Sequence, residues 1–263
     1  MYAPEFVPIA NHEHAPLLQR HERIWTLQLN RPAEHNRLDP LDVDAMHEVF
    51  GQAQTEQPAA LVITGSGQRT FSSGYTLSAI TSELDSRFEN MLDRLETLPM
   101  LTIAAINGGL YGGATDLALC CDIRIGVTGM KMFMPAAKFG LHYYPGGLKR
   151  YVHRLGLPTA SRLMLTAMTM RDEELLRVGY LTELVAPEEL SHRVSAYTGA
   201  AIENEPGVVA EMKSQMRLLA AQLSDSAVAE LEQAMQKANE NSLSSEALHA
   251  RVAAQLNTPR KPK

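Results

Sequence analysis

The chain is poor in cysteine, in basic excess and in long apolar runs, and each shortage removes a class of protein. Only Cys120 and Cys121 occur in 263 residues, and adjacent thiols are ill suited to bridge one another. A disulfide framework is therefore not expected, and a reduced, cytoplasmic protein is. No His or Lys stands beside the pair to activate a thiol, so both are assigned to core packing. Lys and Arg number 24 against 30 Asp and Glu, a net charge of −6 that implies no basic face and no nucleic-acid partner. The 24 cations are enough to form a local basic pocket. No stretch approaches the roughly 18 apolar residues of a spanning helix, so no membrane partner is expected. The opening MYAPEFVPIANHEHAP lacks the basic start and apolar run of a signal peptide. Neither a fixed-period repeat nor a low-complexity tract is present.

What is present alternates in character. Ile24-Trp25-Thr26-Leu27-Gln28-Leu29 has the period of a half-buried strand and stops at Asn30-Arg31-Pro32. Leu41, Val43, Met46, Val49 and Phe50 recur at helical spacing. Ala60–Thr64 reads as an apolar strand ended by Gly65-Ser66-Gly67, and a helical stretch follows through Leu92 and Leu95. Leu101–Ile106 is a further buried strand, and after Asn107-Gly108-Gly109 come the segment Asp116–Cys121 and a β-like Ile123–Ile125. Strands alternating with helices predict crossover units and a largely parallel sheet. After Tyr151, segments 158–167, 172–178, 187–204, 206–222 and 225–255 read as helices, and the tail NTPRKPK as a frayed end. The fold class is thus α/β, with a core over residues 1–200 and a helical C-terminal region over 201–263.

Two glycine-containing loops carry the chemistry, Phe71-Ser72-Ser73-Gly74-Tyr75-Thr76-Leu77 and Asn107-Gly108-Gly109-Leu110-Tyr111-Gly112-Gly113-Ala114-Thr115-Asp116-Leu117. Glycine at a strand-to-helix junction lets bare backbone approach a ligand, with helix-start amides pointing toward negative charge. Neither loop is a dinucleotide fingerprint or a phosphate loop. Taken singly, each could equally be a tight turn.

Together they resemble the crotonase (enoyl-CoA hydratase/isomerase) superfamily, from about Trp25 to Val185. The resemblance includes Leu29-Asn30-Arg31-Pro32, Ile103-Ala104-Ala105-Ile106-Asn107-Gly108, Leu117–Arg124, Phe139-Gly140-Leu141, Gly146-Gly147, Arg154-Leu155-Gly156 and Val178–Val185. It implies a spiral of repeated ββα units with C-terminal helices that build a homotrimer or hexamer. The substrate implied is an acyl-CoA thioester, with no cofactor beyond that coenzyme A.

The resemblance also implies an oxyanion hole formed by the backbone amides of Tyr75 and Gly113, with Ser73 and Gly112 beside them. Such preorganised donors lower the energy of a thioester enolate. Of the two glutamates that hydratases of the family use, the first position is Asp116, about 1.5 Å shorter in reach, which becomes the principal proton-transfer group. The second, after Pro135, is Ala136, which moves no proton. Tyr143 and Tyr144 fit either an aromatic pair closing the acyl pocket or acid/base work, and Tyr143 matches a tyrosine of a methylmalonyl-CoA decarboxylase in the superfamily. Three readings follow: a hydratase or isomerase using Asp116, a decarboxylase or hydrolase using Tyr143, and a binding or structural paralogue without turnover. His35 and Arg37 lie in the turn that touches the CoA nucleotide in relatives, and Thr76 stands where relatives often carry an aspartate. His12, His14 and His21 lack the partners of a metal site and are assigned to a mobile N-terminus, and no metal is expected. Asp39, Asp42 and Asp44 are assigned to a helix start and its solvated face.

Overall fold

A computed structural model describes residues 5–220, 233 and 236–257. The strands are β1 (Val7–Pro8), β2 (Leu17–His21), β3 (Ile24–Leu29), β4 (Ala60–Gly65), β5 (Thr70–Ser72) and β6 (Leu101–Ile106). They continue with β7 (Gly109–Tyr111), β8 (Ile123–Val127), β9 (Lys131–Phe133), β10 (Met170–Arg171) and β11 (Glu183–Val185). The helices are α1 (Pro40–Glu56), α2 (Ser86–Thr97), α3 (Gly113–Cys120), α4 (Ala136–Phe139) and α5 (Pro145–Thr166). After these come α6 (Asp172–Arg177), α7 (Leu190–Ile202), α8 (Pro206–Ala220) and α9 (Glu246–Asn257). A seven-stranded sheet has the order β1-β2-β3-β4-β6-β8-β11, and a four-stranded sheet the order β10-β9-β7-β5.

From β4 onward the chain visits the sheets in turn. β4, β6 and β8 enter the large sheet, β5, β7 and β9 the small one, and a helix follows each pair. The contacts β3–β4, β4–β6, β6–β8 and β8–β11 are parallel, as are β5–β7 and β7–β9. This is the spiral of ββα units that the resemblance implies, and it brings the C-terminal ends of β5 and β7 side by side.

Parallel strands are usually covered on both faces, and successive side chains alternate between them. Leu61, Ile63, Ala104 and Ile106 join the main core, whereas Val62, Ile103, Ala105 and Ile125 pack beneath Val194 and Tyr197 of α7. Each fully buried aliphatic side chain contributes about 1.5–3 kcal/mol. Cys120 and Cys121 are both fully buried thiols, and burial pushes Cys121 up to about 12, as a packing role requires.

Several expectations need correction. The N-terminal segment is docked: β2 pairs with β3 along its whole length, and His12 Nε2 stands 3.4 Å from Asp42 Oδ1. Asp42 is not on a solvated face. It is fully buried against Arg31, and its Oδ2 accepts the Asp39 N–H at 2.8 Å, one half of a capping box at the start of α1. The helix expected over 158–167 is the second half of α5, which begins at Pro145 and breaks at Gly156, where φ is +73°. The helix expected over 225–255 lies partly outside the described residues, and residues 236–243 and α9 are separate helical pieces broken near Ser245. The tail beyond Asn257 also lies outside them. Among the described residues no helix is long and apolar enough to cross a membrane.

Candidate active site

The first loop is fastened by Asn36, which is 1% exposed. Its amide donates to the carbonyls of Ser66 and Thr70 at 2.9 and 2.8 Å, and its Oδ1 accepts from the Arg31 N–H and the Ser66 hydroxyl, each at 3.0 Å. The carbonyl of Asn36 takes the Ser72 hydroxyl at 2.6 Å, and that of His35 takes the Ser73 N–H at 2.8 Å. Leu38 then pairs with Tyr75: its N–H bonds the Gly74 carbonyl, and its carbonyl takes the Thr76 N–H, both at 2.8 Å. Backbone groups of successive residues in extended chain face opposite ways, so the N–H of Tyr75 turns away from Leu38. The Tyr75 ring packs on Phe88 with centroids 5.6 Å apart, and its hydroxyl bonds the Glu83 carbonyl at 3.1 Å.

Gly112 turns the chain out of β7 at φ +56°, ψ −136°, a conformation open to glycine, and Gly113 begins α3. The first amides of a helix have no acceptor within it. A Cβ placed on Gly74 would stand 2.7 Å from the nitrogen of Gly113, so the two loops meet there. Among the described residues, neither the Tyr75 nor the Gly113 N–H donates to a protein acceptor.

Asp116 follows Gly113 by one turn of α3 and is completely buried. Its Oδ1 accepts from Arg150 Nη1 at 2.7 Å, and its Oδ2 takes the hydroxyls of Tyr144 and, at 3.2 Å, Tyr143. The tyrosine rings lie 4.4 Å apart with their hydroxyls 3.2 Å from each other. Burial, reinforced by the Asp116 carboxylate, pushes both phenols well above their ordinary 10. They therefore stay protonated across the neutral range. Arg150 continues outward to Glu96 Oε2 at 3.0 Å and Asp93 Oδ1 at 2.9 Å. Burial pulls the guanidinium down, but Asp116 and its neighbours outweigh this and hold it fully charged.

A cavity of about 1540 Å3 opens over these groups. The sequence-predicted residues His35, Arg37, Ser73, Tyr75, Gly112, Gly113, Ala136, Tyr143 and Tyr144 all line it. Asp116 does not: it sits behind the two tyrosines, reached through their hydroxyls. Arg37 offers no uncommitted charge, because Glu34, Asp39 and Thr76 hold its guanidinium. Residues of the stretch 236–243 and of α9, among them Leu243 and Arg251, close one side of the cavity, with Leu248 and Val252 packed on Ile80. These described parts of the C-terminal region thus cover the site of their own chain.

Sequence reasoning missed Arg150 and Glu89. Glu89 lines the cavity from α2, and burial, with help from Asp93 and Asp116, raises its carboxyl above the usual 4.5 against the opposing Gly146 N–H and Arg150. A signal was present in the spacing of Asp85, Glu89, Asp93 and Glu96, which share one face of α2 beside the buried Phe88, Leu92 and Leu95.

The sequence model of the enoyl-CoA hydratase/isomerase family matches residues 19–253. The chain belongs to the enoyl-CoA hydratase/isomerase family. A short-chain-enoyl-CoA hydratase of Clostridium acetobutylicum is 28% identical over 201 residues, covering 73% of this chain and 77% of the relative. A crotonyl-CoA hydratase of Syntrophomonas wolfei is 31% identical over 194 residues, covering 70% and 74%. A methylmalonyl-CoA decarboxylase, solved in complex with 2-nitronate-propionyl-CoA, superposes with a TM-score of 0.82 at 20% identity, covering 94% of this chain and 97% of that one. That similarity speaks for the fold.

Proposed function

We propose that the chain converts 2-enoyl-CoA thioesters by hydration or double-bond shift, holding the thioester oxygen between the N–H groups of Tyr75 and Gly113. The observation that carries the reading is that the loops bearing these two amides meet at Gly74 and Gly113, at the wall of one cavity, with neither amide bonded to a protein acceptor among the described residues. Charge gathers on the thioester oxygen when a group adds to C3 or leaves C2 as a proton. Fixed donors aimed at that oxygen stabilise the enolate without reorganising during the reaction. The similarity to two hydratases over most of their length supports the substrate class.

Asp116 acts here as a positioning residue. Sealed behind Tyr143 and Tyr144, it orients their hydroxyls, while Arg150 fixes the carboxylate from behind. Phenols held so far above neutrality donate hydrogen bonds and can quench an enolate carbon, but they cannot draw a proton from water or from C2. This last property favours a second reading, in which loss of CO2 from a malonyl-type thioester leaves an enolate that takes its proton from Tyr143. The assembly proposed is a homotrimer or hexamer.

Incubation with crotonyl-CoA, a 3-enoyl-CoA and methylmalonyl-CoA separates the readings. Turnover of crotonyl-CoA or the 3-enoyl-CoA is expected. Turnover of methylmalonyl-CoA alone would favour the second, and thermal stabilisation by CoA with no turnover would point to a binding protein.

A further inference from the structure

We propose that Glu89, supplied by α2, is the group that takes and returns the proton in this site, in the role left empty by Ala136. The inference rests on the acyl-CoA reading above and adds a residue to it. Three observations place the residue.

The first is position. Glu89 lines the same cavity as Tyr75, Gly113 and Tyr144, and its neighbour Phe88 packs on the rings of both tyrosines, at 5.6 and 6.2 Å between centroids. A Cβ on Gly113 would stand 2.7 Å from Phe88 Cζ, so Glu89 leaves its helix one residue past the ring packed against Gly113.

The second is charge. Arg150 is shared by Asp93, Glu96 and Asp116, all through direct contacts. Glu89 has no such partner among the described residues. Its Oε1 takes only the N–H of Gly146, in the first turn of α5, at 3.2 Å. That one bond fixes the carboxylate at a helix start and leaves the other oxygen for a ligand.

The third is elimination among the proton carriers. Asp116 is out of the cavity wall, and Tyr143 and Tyr144 stay protonated. Ala136 has no proton to move. Glu89 is a carboxyl group whose burial lifts it toward the pH range in which a base is also a useful acid. The charged groups that face it are Asp93 on its own helix, Arg150 on α5 and Asp116 on α3.

The step balances. Glu89 accepts a proton from water as the water oxygen bonds C3, the C2–C3 π pair forms the C1–C2 double bond of the enolate, and the C1–O π pair moves onto the thioester oxygen. The enolate then collapses, C2 takes that proton from Glu89, and the carboxylate is restored. Net addition of water results.

The test is Glu89→Gln in the full chain, read by hydration of crotonyl-CoA and by exchange of the α-protons of butyryl-CoA in D2O. The amide oxygen of Gln can still accept the Gly146 N–H, and one charge leaves an acidic cluster, so the melting temperature should stay near wild type. Both rates should fall by about 10²-fold or more, with the KM for crotonyl-CoA changed only a few-fold. The wild-type rate should decline as pH falls through a value above the ordinary carboxyl 4.5, and the variant should lose that limb. If the wild type exchanges butyryl-CoA and Glu89→Gln exchanges it equally fast, this inference alone is overturned. If the wild type neither hydrates nor exchanges, the acyl-CoA reading fails and the role of Glu89 with it.

Discussion

Gly74→Ala is expected to lower kcat by at least 10²-fold while leaving a folded chain. The added methyl would stand 2.7 Å from both the Gly113 nitrogen and the Tyr111 carbonyl oxygen, and 3.2 Å from the Ala114 nitrogen. These three nearest obstacles are all backbone, so either the 73–76 loop or the start of α3 must shift. The residue also sits at φ +84°, where a Cβ costs about 1–2 kcal/mol. Both effects fall on the spacing between the Tyr75 and Gly113 amides. Loss of one oxyanion donor typically costs about 2.7–4 kcal/mol in the barrier. Steady-state kinetics on a thioester that the wild type turns over, with circular dichroism to confirm folding, measures the effect. A folded variant with wild-type kcat would show that the meeting of these loops does not matter to the chemistry.

Replacing Arg150 should produce the largest loss of stability of any single polar substitution described above. Its side chain is 1% exposed and bonds Asp116, Asp93 and Glu96 together. Arg150→Met leaves Asp116, itself fully buried, without its cation, and breaking a buried pair from one side costs about 3–5 kcal/mol. Against a whole-domain stability of about 5–15 kcal/mol, that is a large share. Arg150→Lys should recover little, since one ammonium cannot span three carboxylates in a fixed fork. Denaturant unfolding at several pH values gives the check. Burial pushes Glu96 up, but Arg150 and Arg154 more than offset it and hold the carboxyl below its ordinary 4.5. A carboxyl lowered by folding contributes stability above its unfolded pKa and loses it as pH falls through the folded one. The gap between wild type and variant carried by Glu96 should therefore be full at pH 7 and shrink below about pH 4.5. A gap under about 1 kcal/mol at pH 7 would mean that the network is solvated.

Much of the large sheet was legible because its signal is local. The alternation in Ile24–Leu29 and the apolar run Leu101–Ile106 coincide with β3 and β6, residue for residue. The small sheet was not. β5, β7 and β9 are three residues each, too short to show a period, and they are held by neighbours far along the chain. The first half of α5 escaped for a different reason. Gly146 and Gly147 suggest a turn, yet a Cβ on Gly147 would stand 2.3 Å from the Tyr143 ring, so close packing, not chain reversal, requires the residue to be small.

In the site, the resemblance named Tyr75, Gly113, Tyr143 and Tyr144, and the structure brings all four to the wall of one cavity. The order of the side chains was not legible. The burial of Asp116 behind Tyr143 and Tyr144 depends on the approach of α5 to α3, and the reach of Glu89 into the cavity on how α2 lies under both. Such inter-helix distances leave no trace in sequence spacing. The helical repeat of carboxylates in α2 told only that they share a face.

The most direct measurement is a crystal structure with butyryl-CoA, which has no double bond to hydrate. The thioester oxygen is predicted to lie about 2.7–3.1 Å from both the Tyr75 and the Gly113 nitrogens, with the acyl chain running toward Tyr144. A bound thioester whose oxygen reaches neither nitrogen, or only one, would contradict the account.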